Sequence, residues 1–300
     1  MKSINTRAAY GRPPFIEVEE NVRLHITDLG EGDPVVLIHG WPLSNAMYEY
    51  QYQYLIKEGC RVIGISLRGF GLSDKPYGKY NYDVFADDIK IVLETLEIED
   101  AVLGGFSMGA AVAIRYAAMY NAAHISKLAL FATAAPIWTE RKDFAFGIAR
   151  EIVNGLIRLN NTDRPGLLEV FAGIFTGEQS LSPSMAAWLS NINWQASSYA
   201  MEQCLILLRD ADLRSDLKSI NIPAVIFHGR KDKICPFNLS EQLHNGIHRS
   251  YLVPFENSGH ALFIEESEKF NSMLLKFIRA GIPDIRPNFQ PPVLLSSSLS

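Results

Sequence analysis

Five consecutive residues, Gly105-Phe106-Ser107-Met108-Gly109, hold a lone hydroxyl between two glycines, where a short apolar run (AVLGG) gives way to a small-residue helical pattern (GAAVAIRY). This is a G-x-S-x-G sequence, the signature of a serine raised on a sharp strand-to-helix turn. Glycine suits the positions two before and two after the serine, because a Cβ there would meet the neighbouring strand or helix. The helix start that follows adds free N–H groups and a positive dipole end, which favour a developing anion. A serine needs a base before it can attack, so the motif predicts partners elsewhere in the chain.

Seven histidines are available. His25 lies in an alternating strand pattern, His124 and His248 precede strands, and His244 sits on a polar helix face. His39 and His228 each end a buried strand as His-Gly and read as structural groups that bond a loop. His260 differs, because it follows the last strand (SYLVPF) and a short loop and precedes an amphipathic helix, ALFIEESEKFNSMLLKFI. An acid that orients the imidazole should sit on another strand-end loop, and Asp232, after PAVIFHGRK, does so. The chain order Ser107, Asp232, His260 separates this arrangement from two other serine hydrolase orders. Acyl transfer also needs donors aimed at the oxyanion. One is the backbone N–H of Met108; the other should come from His39-Gly40-Trp41-Pro42, where Pro42 has no N–H, Gly40 lets the backbone turn inward and Trp41 is the candidate.

These residues must be placed by a sheet. After residue 30, short β-branched runs alternate with amphipathic segments, the pattern of βαβ units and a mostly parallel sheet. Strands are expected near 16–19, 22–28, 34–39, 61–65, 101–104, 126–131, 222–228 and 249–253. Helices are expected near 45–58, 82–97, 108–121, 200–210, 213–218, 238–246 and 262–280. PVVLIHG, AVLGG and PAVIFHG are nearly continuous apolar runs, as in central strands covered on both faces. Ligands gather beyond the carboxyl ends of such strands, where Ser107, Asp232, His260 and Trp41 all fall. The alternation fails over 136–205, which reads as an inserted cap of short helices broken at Gly155, Pro165, Gly177 and Pro183. The expected division is a core of 1–135 and 206–282, the cap at 136–205, and an irregular proline- and serine-rich tail at 283–300.

Composition excludes other classes. A net charge of −5 with scattered basic residues argues against nucleic acid as a partner. The three cysteines, Cys60, Cys204 and Cys235, have no metal-like spacing and read as reduced core thiols. No metal or other cofactor is expected, since the chain has neither HExxH nor the glycine spacing of a dinucleotide site. The N-terminus lacks the apolar run of a signal peptide and no long apolar stretch follows, so a cytoplasmic protein without a membrane partner is expected.

With these motifs in place the chain resembles the α/β-hydrolases over about 25–281. Within them, HGWPLS at 39–44, RGFGLSDKP at 68–76, GFSMGAAVAIRY at 105–116 and HGRKDKICP at 228–236 resemble the cofactor-free haloperoxidase and aryl-esterase group. The resemblance implies the α/β-hydrolase fold, an eight-stranded, mostly parallel sheet with helices on both faces and a helical cap. It also implies Ser107, Asp232 and His260 as the triad, with Trp41 and Met108 as the oxyanion hole. Members of that group hydrolyse esters of small to medium acids, and some make peracids from carboxylic acids and hydrogen peroxide; a proline after the oxyanion tryptophan, here Pro42, is the haloperoxidase-like form of the loop. The chain departs from the group at Ile65-Ser66-Leu67-Arg68, where relatives often carry YDxRG, and at Ala110 and Ala111, where further glycines are common.

The expected reaction is cleavage of carboxylic esters of small to medium apolar or aromatic acids through an acyl-enzyme. A lactone substrate would use the same residues. Perhydrolysis is a further alternative, motivated by Pro42, which could leave a nearby carbonyl free to accept from a peroxide. A rival of another class is a small-molecule receptor with slow turnover. Aromatic residues of the cap, Phe144, Phe146, Phe171, Phe175, Trp188, Trp194 and Tyr199, together with Pro42, are expected to supply the substrate pocket, with at least half of the aromatics packing the cap on the core instead.

Overall fold

The computed structural model describes residues 12–178 and 181–280; the expected tail at 283–300 lies outside them. Eight strands form one sheet: β1 (Phe15–Glu19), β2 (Val22–Leu29), β3 (Asp33–Ile38), β4 (Cys60–Ile65), β5 (Ala101–Phe106), β6 (Ile125–Phe131), β7 (Ala224–Gly229) and β8 (Ser250–Phe255). Their order is β1-β2-β4-β3-β5-β6-β7-β8. β1 and β2 enter antiparallel, and every pairing from β4 through β8 is parallel. From β3 the chain first crosses to β4 on one side and later to β5 on the other, so the crevice above the carboxyl ends of β3 and β5 is a topological switch point. Ser107 and the His39 to Pro42 loop both open onto it.

Every residue of β5 and β7 is buried, as are Val35, Val36, Leu37 and Ile38 of β3. Because successive side chains point to opposite faces, burial of all of them requires cover on both faces. The helices that provide it include α1 (Glu49–Lys57), α2 (Tyr82–Thr95) and α3 (Met108–Met119), and later α8 (Arg214–Leu217), α9 (Asn238–Gly246), α10 (Leu262–Glu265) and α11 (Ser267–Ala280). Two expected helices are subdivided. The segment 45–58 opens with a 3-10 turn, Asn45–Tyr48, capped by Ser44, before α1 begins. The segment 262–280 breaks at Glu266, whose backbone leaves the helical region (φ −122°, ψ 49°). Glu266 there accepts from Ser258 Oγ at 2.6 Å and the Asn257 N–H at 3.2 Å, bonds to the loop that carries His260.

Between β6 and β7 lie α4 (Arg150–Thr162), α5 (Arg164–Ile174), α6 (Pro183–Trp194) and α7 (Ser198–Asp210). Pro165 and Pro183 start helices, behind Asp163 and Ser182 whose side chains accept from the Gly166 and Met185 N–H groups. Gly155 does not break its helix: it sits inside α4, where one glycine costs only about 1 kcal/mol of helix propensity. A single helix, α7, runs through residue 205 to Asp210. Among the described residues no helix is long and apolar enough to cross a membrane.

Candidate active site

Ser107 follows β5 directly and has φ 54° and ψ −116°, a left-handed backbone conformation rare for a residue with a side chain. Its N–H donates to the Phe131 carbonyl at 2.8 Å, extending the β5–β6 ladder by one rung before the chain turns into α3. The turn has no room for larger neighbours. A Cβ on Gly105 would lie 2.3 Å from the Gly109 carbonyl oxygen, and one on Gly109 would lie 2.3 Å from that of His39. A Cβ on Gly40 would come within 2.9 Å of the Ser107 Cβ, so the loop after β3 lies against the serine. Among the described residues, neither the Trp41 nor the Met108 N–H donates to another backbone or side-chain group.

His39 holds that loop. Its Nε2 accepts from the Leu67 N–H at 3.0 Å while its Nδ1 donates to the Gly40 carbonyl at 2.9 Å, which fixes a neutral ring. Burial, opposed in part by the Gly40 bond, lowers its pKa to about 4. His228 bonds the Cys235 carbonyl through Nε2 at 2.7 Å. Both histidines thus tie loops together.

His260 and Asp232 meet. His260 Nδ1 lies 2.7 Å from Asp232 Oδ2, and both residues are buried. The second oxygen, Oδ1, accepts from the Ile234 and Cys235 N–H groups, each at 2.8 Å. Burial alone would raise the Asp232 pKa, but the His260 charge and bonds from His228 and His260 outweigh it and hold the carboxyl below the usual range. The imidazole packs on Phe106 and Phe175, with ring centroids 4.7 and 5.9 Å away. The loop before it is clamped by Glu265, which accepts from the Gly259 N–H at 2.9 Å and from the Gly177 N–H, after α5, at 2.8 Å.

His260 Nε2 is buried with no hydrogen-bond partner among the described residues. Ser107 Oγ therefore does not engage it in this conformation, and the Ser107 side chain instead interacts with the Cys235 thiol. Burial pushes that thiol far up, so it is held as a neutral SH. The sequence marked Cys235 only as a core cysteine; its closeness to Ser107 arises because the Asp232 loop folds back across the end of β7.

A cavity of about 210 Å³ opens beside Ser107. Trp41, Trp138, Ile148, Leu156, Phe171 and Leu208 contribute to its apolar wall, and Lys233 is the charged residue in the lining. Ser107 and Trp41 thus share one cavity. Of the residues expected in the pocket, Phe171 lines it, whereas Pro42, Phe144, Trp188 and Trp194 are absent from its lining. Pro42 is buried in the loop after β3, joined to Trp41 by a cis peptide bond. Phe144 packs on Phe146 with ring centroids 5.1 Å apart, in a turn bridged to Arg141. α6 turns Leu189, Ile192 and Asn193 inward. Trp188 then meets Tyr50, and Trp194, which is 45% exposed, lies beside the Arg164 guanidinium. Trp138 was not anticipated; its indole N–H donates to the Ile234 carbonyl at 2.9 Å, which sets its ring against the cavity.

Residues 33–267 match the family described as the alpha/beta hydrolase fold. The chain is similar to the AB hydrolase superfamily protein YisY of Bacillus subtilis (strain 168), with 46% identity over 263 residues, 88% of this chain and 98% of the relative. Among solved structures it is similar to an esterase from Exiguobacterium antarcticum, with 38% identity and a TM-score of 0.87, covering 90% of this chain and 100% of that one. It is also similar to a bromoperoxidase from Bacillus anthracis, with 32% identity and a TM-score of 0.85, covering 88% and 98%.

Proposed function

The chain belongs to the alpha/beta hydrolase family, and from that premise we propose that it cleaves carboxylic esters through an acyl-enzyme formed on Ser107. The observation that carries this reading is the buried Asp232–His260 pair at 2.7 Å with its second ring nitrogen unpartnered, beside a serine on a left-handed turn. Ser107 Oγ turns from Cys235 to His260 Nε2, gives up its proton and attacks the ester carbonyl. Asp232 holds the Nδ1–H tautomer and stabilises the imidazolium. The Trp41 and Met108 N–H groups bind the oxyanion, and no reorganisation is needed because neither is committed elsewhere. His260 then protonates the leaving alcohol and activates a water that releases the acid.

The helices between β6 and β7 serve as the cap, and the cavity they close over Ser107 takes the acyl chain. Its apolar wall favours aliphatic or aromatic acids of small to medium size. A lactone would meet the same groups. Similarity to a bromoperoxidase, together with Pro42 after Trp41, supports perhydrolysis as a second activity of the same acyl-enzyme, with hydrogen peroxide replacing water. The test is hydrolysis of p-nitrophenyl butyrate by Ser107→Ala protein. Turnover should fall by about 10⁴ or more; wild-type turnover in that variant overturns the reading.

A further inference from the structure

A second cavity, of about 220 Å³, lies between α5 and α6, with Leu43, Leu168, Phe171, Leu189, Ser190 and Asn193 in its lining. Ser107 is not part of it, and Phe171 is the residue it shares with the cavity beside the serine. Asn193 is only 4% exposed, and its Oδ1 has no hydrogen-bond partner among the described residues. A buried carbonyl oxygen without a donor is an unfavourable state, which a small turn of the amide toward a ligand hydroxyl in the cavity would relieve. Among the described residues the lining contains no charged side chain, so a carboxylate or ammonium would be buried there unpaired. Size narrows the choice further. An apolar cavity of roughly 150 Å³ holds benzene, so this one accepts a phenyl ring with a short polar substituent. Two aromatic rings stand in its otherwise mostly aliphatic wall, Phe171 and Phe175, 5.2 Å apart.

We propose that this cavity binds a small neutral aromatic alcohol, its ring against Phe171 and Phe175 and its hydroxyl donating to Asn193 Oδ1. The same two rings reach the site already described: Phe171 meets Trp41 edge-on at 5.4 Å and Phe175 lies 5.9 Å from the His260 ring. Occupancy is therefore felt on both sides of Ser107. Only what the bound alcohol does rests on the ester-hydrolase reading; that it binds does not. It is either the alcohol half released from an aryl ester or an independent effector.

Phenol and toluene, equal in shape but not in donor, are the probes, titrated calorimetrically into the full chain. Phenol should bind at least about tenfold more tightly than toluene, one neutral hydrogen bond's worth. Asn193→Leu should remove that preference by weakening phenol and not toluene, and Ala186→Phe, which fills the cavity from α6, should weaken both. Phenol affinity within twofold of wild type in both variants overturns the proposal. In hydrolysis of ethyl butyrate, competitive inhibition by phenol identifies the leaving-group role, and a changed kcat at constant KM identifies an effector. If wild-type protein hydrolyses no ester, the functional reading fails while the Asn193-dependent binding of phenol still stands or falls by itself.

Discussion

His39 is neutral because both ring nitrogens are committed inside the fold, and that commitment carries a pH dependence. Its pKa is about 4 in the folded chain and about 6.5 when unfolded. The unfolded chain takes up the proton first, so the stabilisation is fully present above pH ~6.5 and is lost as pH falls toward 4. At about 1.4 kcal/mol per unit, the loss is about 3 kcal/mol for this residue. Burial shifts His25 and His244 in the same direction. Urea unfolding of wild type at pH 6.5 and 4.5 should show the decline, and His39→Asn should be less stable at neutral pH but flatter across the window. An equal slope in the variant would remove His39 as the cause. The same sign holds for Asp232 in a lower window: its depressed pKa gives stability that is lost only as pH falls below the ordinary carboxylate range.

Elements are joined by a few buried charges. Arg68, in the loop after β4, is 5% exposed and holds Asp88 of α2 with two bonds, at 2.8 and 2.7 Å. A third bond, at 2.8 Å, reaches Glu19 at the end of β1. The departure seen in the sequence at Ile65-Ser66-Leu67-Arg68 therefore leaves this guanidinium anchored between strand and helix. Asp88→Ala would strand it with only the more exposed Glu19 as partner, and breaking one side of a buried pair costs about 3–5 kcal/mol. The fall in urea midpoint at unchanged slope measures it; a change below about 1 kcal/mol would show that Glu19 and water replace Asp88. Most strands were legible because their period is local and their burial nearly complete. The break at Glu266 was not, because it depends on bonds to Ser258 and Asn257 that no helical periodicity encodes.

At the scale of the whole molecule, the sheet presents Ser107, Trp41, Asp232 and His260 at one edge, and helices between β6 and β7 line the cavity beside Ser107. The cavity beside Ser107 is apolar and closed on one side by α4 and α5. Across a series of p-nitrophenyl esters, kcat/KM should peak between butyrate and octanoate and fall steeply for palmitate. Phe171→Ala, which joins the two cavities, should move the optimum to longer chains. A flat series, or an optimum unmoved by the variant, would show that the acyl chain lies elsewhere.

By itself the sequence determined the alternation of strands and helices, the turn at Gly105-Phe106-Ser107-Met108-Gly109, and the loops that carry Asp232 and His260. These are matters of local chemistry: period, glycine spacing and the order of strand ends. Which cap side chains face the cavity was decided only by tertiary structure. Trp188 and Trp194 share a helix with Leu189 and Asn193, and the rotation of α6 against its neighbours left Trp188 half-buried against Tyr50, turned Trp194 outward and turned the asparagine inward. An amphipathic pattern says that one face is buried, not whether that face meets the core, a cavity or another helix. The closeness of Cys235 to Ser107 and the unpartnered nitrogen of His260 are decisions of the same kind, since each depends on how separate loops pack across the end of the sheet.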